Sequence, residues 1–385
     1  MPKQRERNSR RLNTNISTSQ PKEEGQQQQE VRRFAIRLAW DGSSFQGYQS
    51  QPYKNTIQDN LESRLRGLLR RPVRIIAWGR TDSGVHAKGA VVTLDLSMEE
   101  IYKFANSMKK CPKKEEEGEE EIDDESSAIT AASQFLHSVL KEFACNTGCD
   151  NCTQQLQRTR YGSITALSVT SVSLDFDARY SALWKRYVYY ICATGDHDNG
   201  VNQQQQQQQQ LPFVWNRYAW IVKKSLDYPA MAKAAELLSN TPHDFEWMCI
   251  IQEGELRDTC RTVQLRVEQV SMNEESNINN NIPYFLQQHE KTVVYKVTVQ
   301  TDFFLYKMVR RIVGILVSIG KHDVDLDTLK VCLDEHDERY NNNDDDDAQN
   351  NNTKNQKKTT VPTKLLLTAP AKGLCLDHIE YNIQI

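Results

Sequence analysis

The sequence predicts an α+β fold, and three stretches carry that prediction. Residues 31–40, Val-Arg-Arg-Phe-Ala-Ile-Arg-Leu-Ala-Trp, place Phe34, Ile36, Leu38 and Trp40 at alternate positions, the period of a strand with one apolar face. Residues 303–320 repeat apolar side chains at helical spacing, with Leu305, Met308, Val309, Ile312, Val313, Leu316 and Ile319 on one face. Between these lie two β-branched runs, 73–76 and 91–94, flanking a polar loop, which reads as strand, loop, strand.

The remaining elements follow in order. Residues 41–44, Asp-Gly-Ser-Ser, are turn chemistry. Thr56 is an N-cap candidate for a helix with Ile57, Leu61, Leu65 and Leu68 on one face. Strands are expected over 88–96, 163–174, 185–191, 261–263 and 293–299, with a terminal one after residue 376. Helices are expected over 128–142 and 229–239. In the 303–320 helix, Lys307, Arg310 or Arg311, Gly314 and Ser318 fall on a second face, expected to be solvated.

A chain of 385 residues has room for two domains or one large one. Its hydrophobic content of 38% is low for a compact chain, and polar runs account for the deficit. These runs cannot bury enough apolar surface to offset their ordering entropy, so disorder is expected in the tail 1–30 and in inserts 109–127, 196–210, 273–281 and 341–360. The inserts interrupt two parts, 31–175 and 176–385. Residues 113–125 hold nine carboxylates against two lysines, a local charge of −7, so a whole-chain charge of −3 leaves +4 elsewhere. Basic clusters at Arg64, Arg66, Arg70, Arg71 and Arg74, and at Lys307, Arg310 and Arg311, are compatible with an RNA partner. Nine scattered cysteines, no secretory signal and no bilayer-length apolar run point to a reducing interior, cytoplasm or an organelle such as a plastid or mitochondrion, with no membrane partner. Glu6, Glu23 and Glu24 count against an organelle transit segment.

The chemistry concentrates in residues 78–89, Trp-Gly-Arg-Thr-Asp-Ser-Gly-Val-His-Ala-Lys-Gly. Arg80 and Asp82 are two apart and point the same way in an extended segment, so Arg80 is expected to bond Asp82 and keep it ionised. A positioned carboxylate serves as nucleophile or general base.

Gly79 to Ala87 closely resembles the signature of the TruA family of tRNA pseudouridine synthases, Gly-Arg-Thr-Asp-x-Gly-Val-His-Ala/Gly, at every fixed position. Other segments resemble the family in its order. Trp40-Asp41-Gly42 and Gly47-Tyr48-Gln49-Ser50-Gln51 are similar to its Tyr-Asp-Gly and Gly-Trp-Gln-x-Gln, with aromatic exchanges at residues 40 and 48. Phe176 to Ala182, followed by Tyr187-Val188-Tyr189, is similar to Phe-x-Ala-Arg-x-Ser-Ala and Tyr-x-Tyr. Thr241 to Phe245 resembles Gly-x-His/Asn-Asp-Phe with Thr241 for glycine. Phe304 to Gly314 resembles Phe-Leu-x-x-Met-Val-Arg-x-Ile-Val-Gly, and Ala369 to Leu376 resembles Ala-Pro-x-x-Gly-Leu-x-Leu. The resemblance covers 33–96, 176–193 and 229–381; the family's Asn-x-x-Leu-Pro-x-x-Ile segment is missing near 143–160.

The resemblance implies two ferredoxin-like halves whose mostly antiparallel sheets join, with the active cleft between them. It implies isomerisation of uridine in the anticodon arm of tRNA, at positions about 38–40 of the tRNA, by a homodimer needing no cofactor and no metal. It implies Asp82 as the catalytic nucleophile, acting on the sugar carbon, the ring or a sugar proton. Arg80 would orient that carboxylate, aided by Arg310, and Tyr187 would stack on the loose uracil and move a proton. RNA contacts are implied for Arg179, Arg310, Lys307, Arg311, His86, Gln49 and Leu374.

One constellation competes. Cys145, Cys149 and Cys152 have the spacing of a radical-SAM iron–sulfur motif, and with His137 they offer four zinc ligands. Asn151 stands where that motif carries an aromatic residue, and free thiols are the preferred reading. An RNA-binding protein without catalysis is the other alternative, against which Asp82 itself speaks, because binding alone does not need it.

Overall fold

The structure is a computed structural model and describes residues 30–52, 55–109, 124–141, 143–144, 163–195, 213–250, 258–270, 292–344 and 361–385. The tail 1–29, the inserts 196–210 and 273–281, most of 109–127 and 341–360, and the three clustered cysteines lie outside the described residues.

The first part of the chain forms β1 (Val31–Trp40), α1 (Ile57–Leu69), β2 (Ile76–Ala77), β3 (His86–Ser97), α2 (Met98–Lys109), α3 (Glu125–Leu140), β4 (Phe143–Ala144) and β5 (Ser163–Val172). The second forms β6 (Ala182–Ala193), α4 (Phe213–Tyr218), β7 (Trp220–Val222), α5 (Tyr228–Leu237), β8 (Pro242–Asp244), β9 (Cys260–Thr262), β10 (Gln264–Val270), β11 (Val293–Thr301), α6 (Met308–Gly320), α7 (Leu326–Asp344) and β12 (Leu374–Tyr381). Local chemistry sets several boundaries. Thr56 accepts from the Asp59 amide at 3.2 Å and starts α1, as expected. Asp227 caps α5 through the Ala230 amide, with Pro229 in the first turn. Asp124 caps α3 through Ser127, so the acidic insert ends at a helix N-terminus and residues 125–127 are helical rather than disordered. Likewise 341–344 close α7.

Among the described residues one large sheet runs β10-β11-β6-β12-β3-β1-β5-β4, with β2 attached to β3 and β7 to β6. It is mostly antiparallel; β12–β3 and β6–β7 are the parallel pairs. The two parts of the chain meet at the β12–β3 seam, where Cys375 faces His86 and Leu376 faces Ala87. Strand β3 therefore lies inside the sheet, and residues 89–94 are all buried. The β-branched run before the loop becomes strand only at Ile76–Ala77, although Val73 and Ile75 are buried as the alternation required.

Helix α6 is buried along its length apart from Arg310 and Arg311. The expected solvated face does not exist. A strap, residues 362–370, lies over it: the Ser318 hydroxyl donates to the Lys364 carbonyl at 2.9 Å, and the Ala369 amide donates to the Arg310 carbonyl at 3.0 Å. Gly314 makes that closeness possible, because a Cβ there would stand 1.9 Å from the Leu367 carbonyl oxygen.

Trp40, Tyr48 and Trp78 form a ring cluster with centroids 5.1–6.2 Å apart beneath the polar loop. The Trp40 indole donates to the Val85 carbonyl at 3.1 Å. The Tyr48 hydroxyl is buried, with no hydrogen-bond partner among the described residues. An unpaired buried hydroxyl costs about 1–3 kcal/mol. Tyr48→Phe is therefore expected to keep or raise the unfolding free energy, by about 1 kcal/mol, in denaturant titration. A loss of that size would mean that the hydroxyl is satisfied in solution.

Candidate active site

The Asp82 loop is fastened to the turn that follows β1. The Tyr48 amide donates to the Thr81 carbonyl at 3.1 Å, the Gly84 amide to Phe45 at 3.2 Å, and the Ser83 hydroxyl to Phe45 at 3.3 Å. Gly47, at φ +90°, allows this approach; a Cβ there would sit 2.9 Å from the Thr81 oxygen. Within the loop the Val85 amide bonds the Asp82 carbonyl at 3.2 Å, so the segment turns rather than running extended.

That turn changes the expected pairing. Arg80 is exposed and forms no ion pair with Asp82. The cation on Asp82 is Arg310, from the opposite part of the sheet: Nη1 donates to Oδ2 at 2.8 Å, with both side chains largely buried. The same guanidinium donates from Nε to the Ala369 carbonyl at 2.7 Å. Arg310, Gly314 and Ser318 lie four apart on α6, so one helix face holds both the strap and the carboxylate.

Tyr187 is buried on β6 opposite Leu376 of β12. Its ring packs edge-on against Phe304 at 5.0 Å. Burial, then the charges of Asp82 and Cys375, push its hydroxyl pKa above the ordinary tyrosine range, so it stays protonated at neutral pH. Tyr189, two residues on, is fully buried and donates to the Pro370 carbonyl at 2.7 Å, anchoring the strap.

Other residues named from the sequence fall into two groups. Gln49 and Arg179 are exposed, and Arg179 lies 5.4 Å from the Tyr180 ring centre; Lys307, partly buried, lies over Tyr306 at 5.1 Å. His86, Leu374 and Arg311 are tied into the protein. His86 is buried; its Nδ1 lies 3.0 Å from the Gly42 amide nitrogen and 3.2 Å from Asp41 Oδ1, and its Nε2 lies 3.1 Å from the Lys372 carbonyl. Leu374 is buried opposite Tyr189. Arg311 donates to the Trp247 and Cys249 carbonyls at 2.8 and 3.2 Å.

Sequence reasoning misses two supports. From the sequence Asp41 is a turn residue within a family-like motif, with no role assigned to it. Its carboxylate meets His86, the Ser43 amide at 2.9 Å, the Tyr218 hydroxyl at 2.6 Å and Arg217 Nε at 2.6 Å. Burial alone would raise its pKa, but the hydrogen bonds from His86, Tyr218 and Ser43 outweigh it and hold the carboxyl well below the usual range. Arg217 and Tyr218 follow a glutamine run, and no pattern marks them. Lys185 is the second. Its buried ammonium donates to the Trp78 carbonyl at 3.0 Å, directly before the loop.

Among the described residues Asp244, Glu246 and His336 bring one potential metal-ligand atom each within 4.8 Å of one another; none bonds Asp82 or Arg310. No helix among the described residues is long and apolar enough to cross a membrane.

The site is thus a half-buried carboxylate–guanidinium pair beside a protonated tyrosine, at the junction of two sheet halves. A sequence profile described as tRNA pseudouridine synthase matches residues 242–352. The chain is 28% identical to tRNA pseudouridine synthase A of Moorella thermoacetica over 349 residues, covering 90% of this chain and 98% of the relative. It is 27% identical to the enzyme of that name from Dictyoglomus thermophilum over 349 residues, covering 90% and 99%. With that of Halalkalibacterium halodurans it shares 28% over 292 residues, covering 75% and 79%. Over most of its length the chain is thus similar to bacterial proteins named tRNA pseudouridine synthase A, and its residues 242–352 fit the tRNA pseudouridine synthase profile.

Two measurements test this architecture. Gly314→Ala must displace the strap and is expected to destabilise the fold by about 1–3 kcal/mol, read by denaturant unfolding; no loss would mean that the strap is not packed on α6. Burial, reinforced by Arg179, lowers the Lys185 pKa from 10.5 to about 8. Between those values the unfolded chain binds a proton that the folded chain has released, so this group's contribution to stability rises with pH. Unfolding free energies of wild type and Lys185→Met, compared across that window, should diverge in this direction; parallel curves would place the ammonium in solvent.

Proposed function

We propose that this chain isomerises uridine to pseudouridine in tRNA, with Asp82 as the reacting carboxylate. The observation that carries the reading is the Asp82–Arg310 pair beside Tyr187 in a chain similar to tRNA pseudouridine synthases A. In the reaction the bond between uracil N1 and the sugar C1′ breaks, the base turns, and C5 bonds C1′. The hydrogen on C5 leaves as a proton and N1 gains one, so nothing is oxidised.

Each requirement has a residue. Asp82 engages the nucleoside as the glycosidic bond breaks. Arg310 fixes its direction through a second bond to the chain, which leaves one carboxylate oxygen, Oδ1, without that arginine. Tyr187, protonated, is the group that shuttles a proton at the loosened base. Arg80, exposed two residues before Asp82, faces incoming RNA rather than the carboxylate. The target base leaves its stack to reach Asp82, and a loop base does so at least cost, which favours the anticodon arm.

The strand order of the second part, β12-β6-β11-β10, with α5 between β6 and β10 and α6 between β11 and β12, supports a ferredoxin-like half. The first part, with β3-β1-β5 and α1 between β1 and β3, supports a second, less regular one. A homodimer belongs to the same reading and rests on the resemblance alone.

The experiment is tritium release from tRNA labelled at C5 of uracil, with purified protein and EDTA. Wild type is expected to release tritium, and Asp82→Asn to lose release while its tRNA affinity stays within about twofold, since phosphate contacts dominate affinity. Equal loss of binding and release would remove Asp82 from the chemistry. No release from wild type would remove the synthase reading.

A further inference from the structure

We infer that the open cavity beside the Asp82 loop is a seat for one phosphodiester of the RNA strand, with Lys372 as its cation. The inference rests on RNA being the substrate, as proposed above. The cavity encloses about 610 Å³, within the range of about 300–1,000 Å³ that small-ligand sites occupy. Four segments wall it: the turn at Ser43, the catalytic loop at Gly84, α4 at Asn216 and Arg217, and the end of the strap from Pro370 to Lys372. Gly84 is two residues from Asp82, and Pro370 follows the Ala369 carbonyl that holds Arg310. A group bound here therefore rests on both segments that support the reacting pair.

Charge decides what it takes. Among the described residues no carboxylate lines the cavity. Arg217 is matched by Asp41, as Arg310 is by Asp82. Lys372 is different: its ammonium donates to the Asn216 amide oxygen at 2.9 Å, a neutral acceptor, and it forms no ion pair among the described residues. The cavity thus carries one uncompensated positive charge, beside the exposed Ser43. The lysine is also held in place. Its carbonyl meets His86 Nε2 at 3.1 Å on the catalytic strand, and Asn216 fixes the end of its side chain. A prepositioned cation with polar neighbours and a Pro-Ala wall suits a phosphate with its attached ribose. Helix α4 acquires a purpose in this arrangement, because Arg217 and Tyr218 moor it to Asp41 so that Asn216 presents Lys372 to the strand.

The test is tRNA affinity as a function of salt, with steady-state tritium release alongside, for the full chain and for Lys372→Gln, Lys372→Arg and Asn216→Ala. Each phosphate contact contributes about 0.7–0.9 to the slope of log K against log salt. Lys372→Gln is expected to lower the slope by about that amount and to raise KM with kcat little changed. Lys372→Arg should restore the slope. Asn216→Ala, at an exposed position, keeps the charge and should raise KM with the slope intact. An unchanged slope in Lys372→Gln overturns the seat, as does a fall in kcat alone, which would make Lys372 a support of His86. A reduced slope in a chain that releases no tritium would keep the seat and reject the synthase reading. A wild-type chain that fails to bind tRNA would overturn both.

Discussion

The Arg310 guanidinium bonds the Asp82 carboxylate through Nη1 and the Ala369 carbonyl through Nε, and most of the second part of the chain is arranged to put it there. A lone buried carboxylate would be costly; a fork-shaped cation with a second anchor neutralises it and fixes its orientation at once. The anchor depends on the strap, and the strap depends on close packing: no side chain at Gly314, a hydroxyl at Ser318, and the Tyr189 phenol on Pro370. On the other side of the cleft the loop is carried by the Trp40–Tyr48–Trp78 rings and by backbone bonds to the 45–48 turn. The Asp82 carboxylate belongs to a loop, yet it is held by a helix, a strand junction and an aromatic floor.

The sequence exposes the Asp82 carboxylate, but it points to Arg310 only through the family resemblance, and there as an aid to Arg80 rather than as the main partner. Asp82 is legible because its neighbours along the chain form one contiguous string. An extended-segment argument assigns its cation to Arg80, and it fails because the loop turns back through the bond from Val85 to Asp82. Arg310 lies 228 residues away, and linear spacing carries no information on such a pair. The polar face of α6 misleads for the same reason. Period 3.6 distinguishes an apolar face from a polar one, but it does not say whether a distant strap covers the polar face. Strands with clear alternation, such as β1 and β11, emerge where expected. Helix α7, rich in charge and asparagine, and the short α4 do not, because their burial is decided by neighbours rather than by their own composition.

Asp41, His86, Tyr218 and Lys372 extend the same lesson to polar groups. Sequence marks Asp41 and His86 as motif residues and leaves Tyr218 unmarked, and it shows none of their mutual contacts; together the four lace the turn after β1, strand β3, α4 and the strap into one unit. Buried polar groups that satisfy one another in this way resist independent change, since removing one leaves the rest unpaired.

The β12–β3 seam has a consequence for how the protein comes into being. His86 and Lys372 are separated by 286 residues, and the seam cannot form until the strand at Leu374–Tyr381 has been made. A chain growing at about 5–20 residues per second carries Asp82 for many seconds before Arg310 and longer before the seam. During that interval the His86–Ala87 end of β3 lacks its β12 neighbour, an open edge that invites wrong pairing, and Asp82 stands without Arg310. Pairings this distant in sequence also make for slow folding, so the interval is built into the topology.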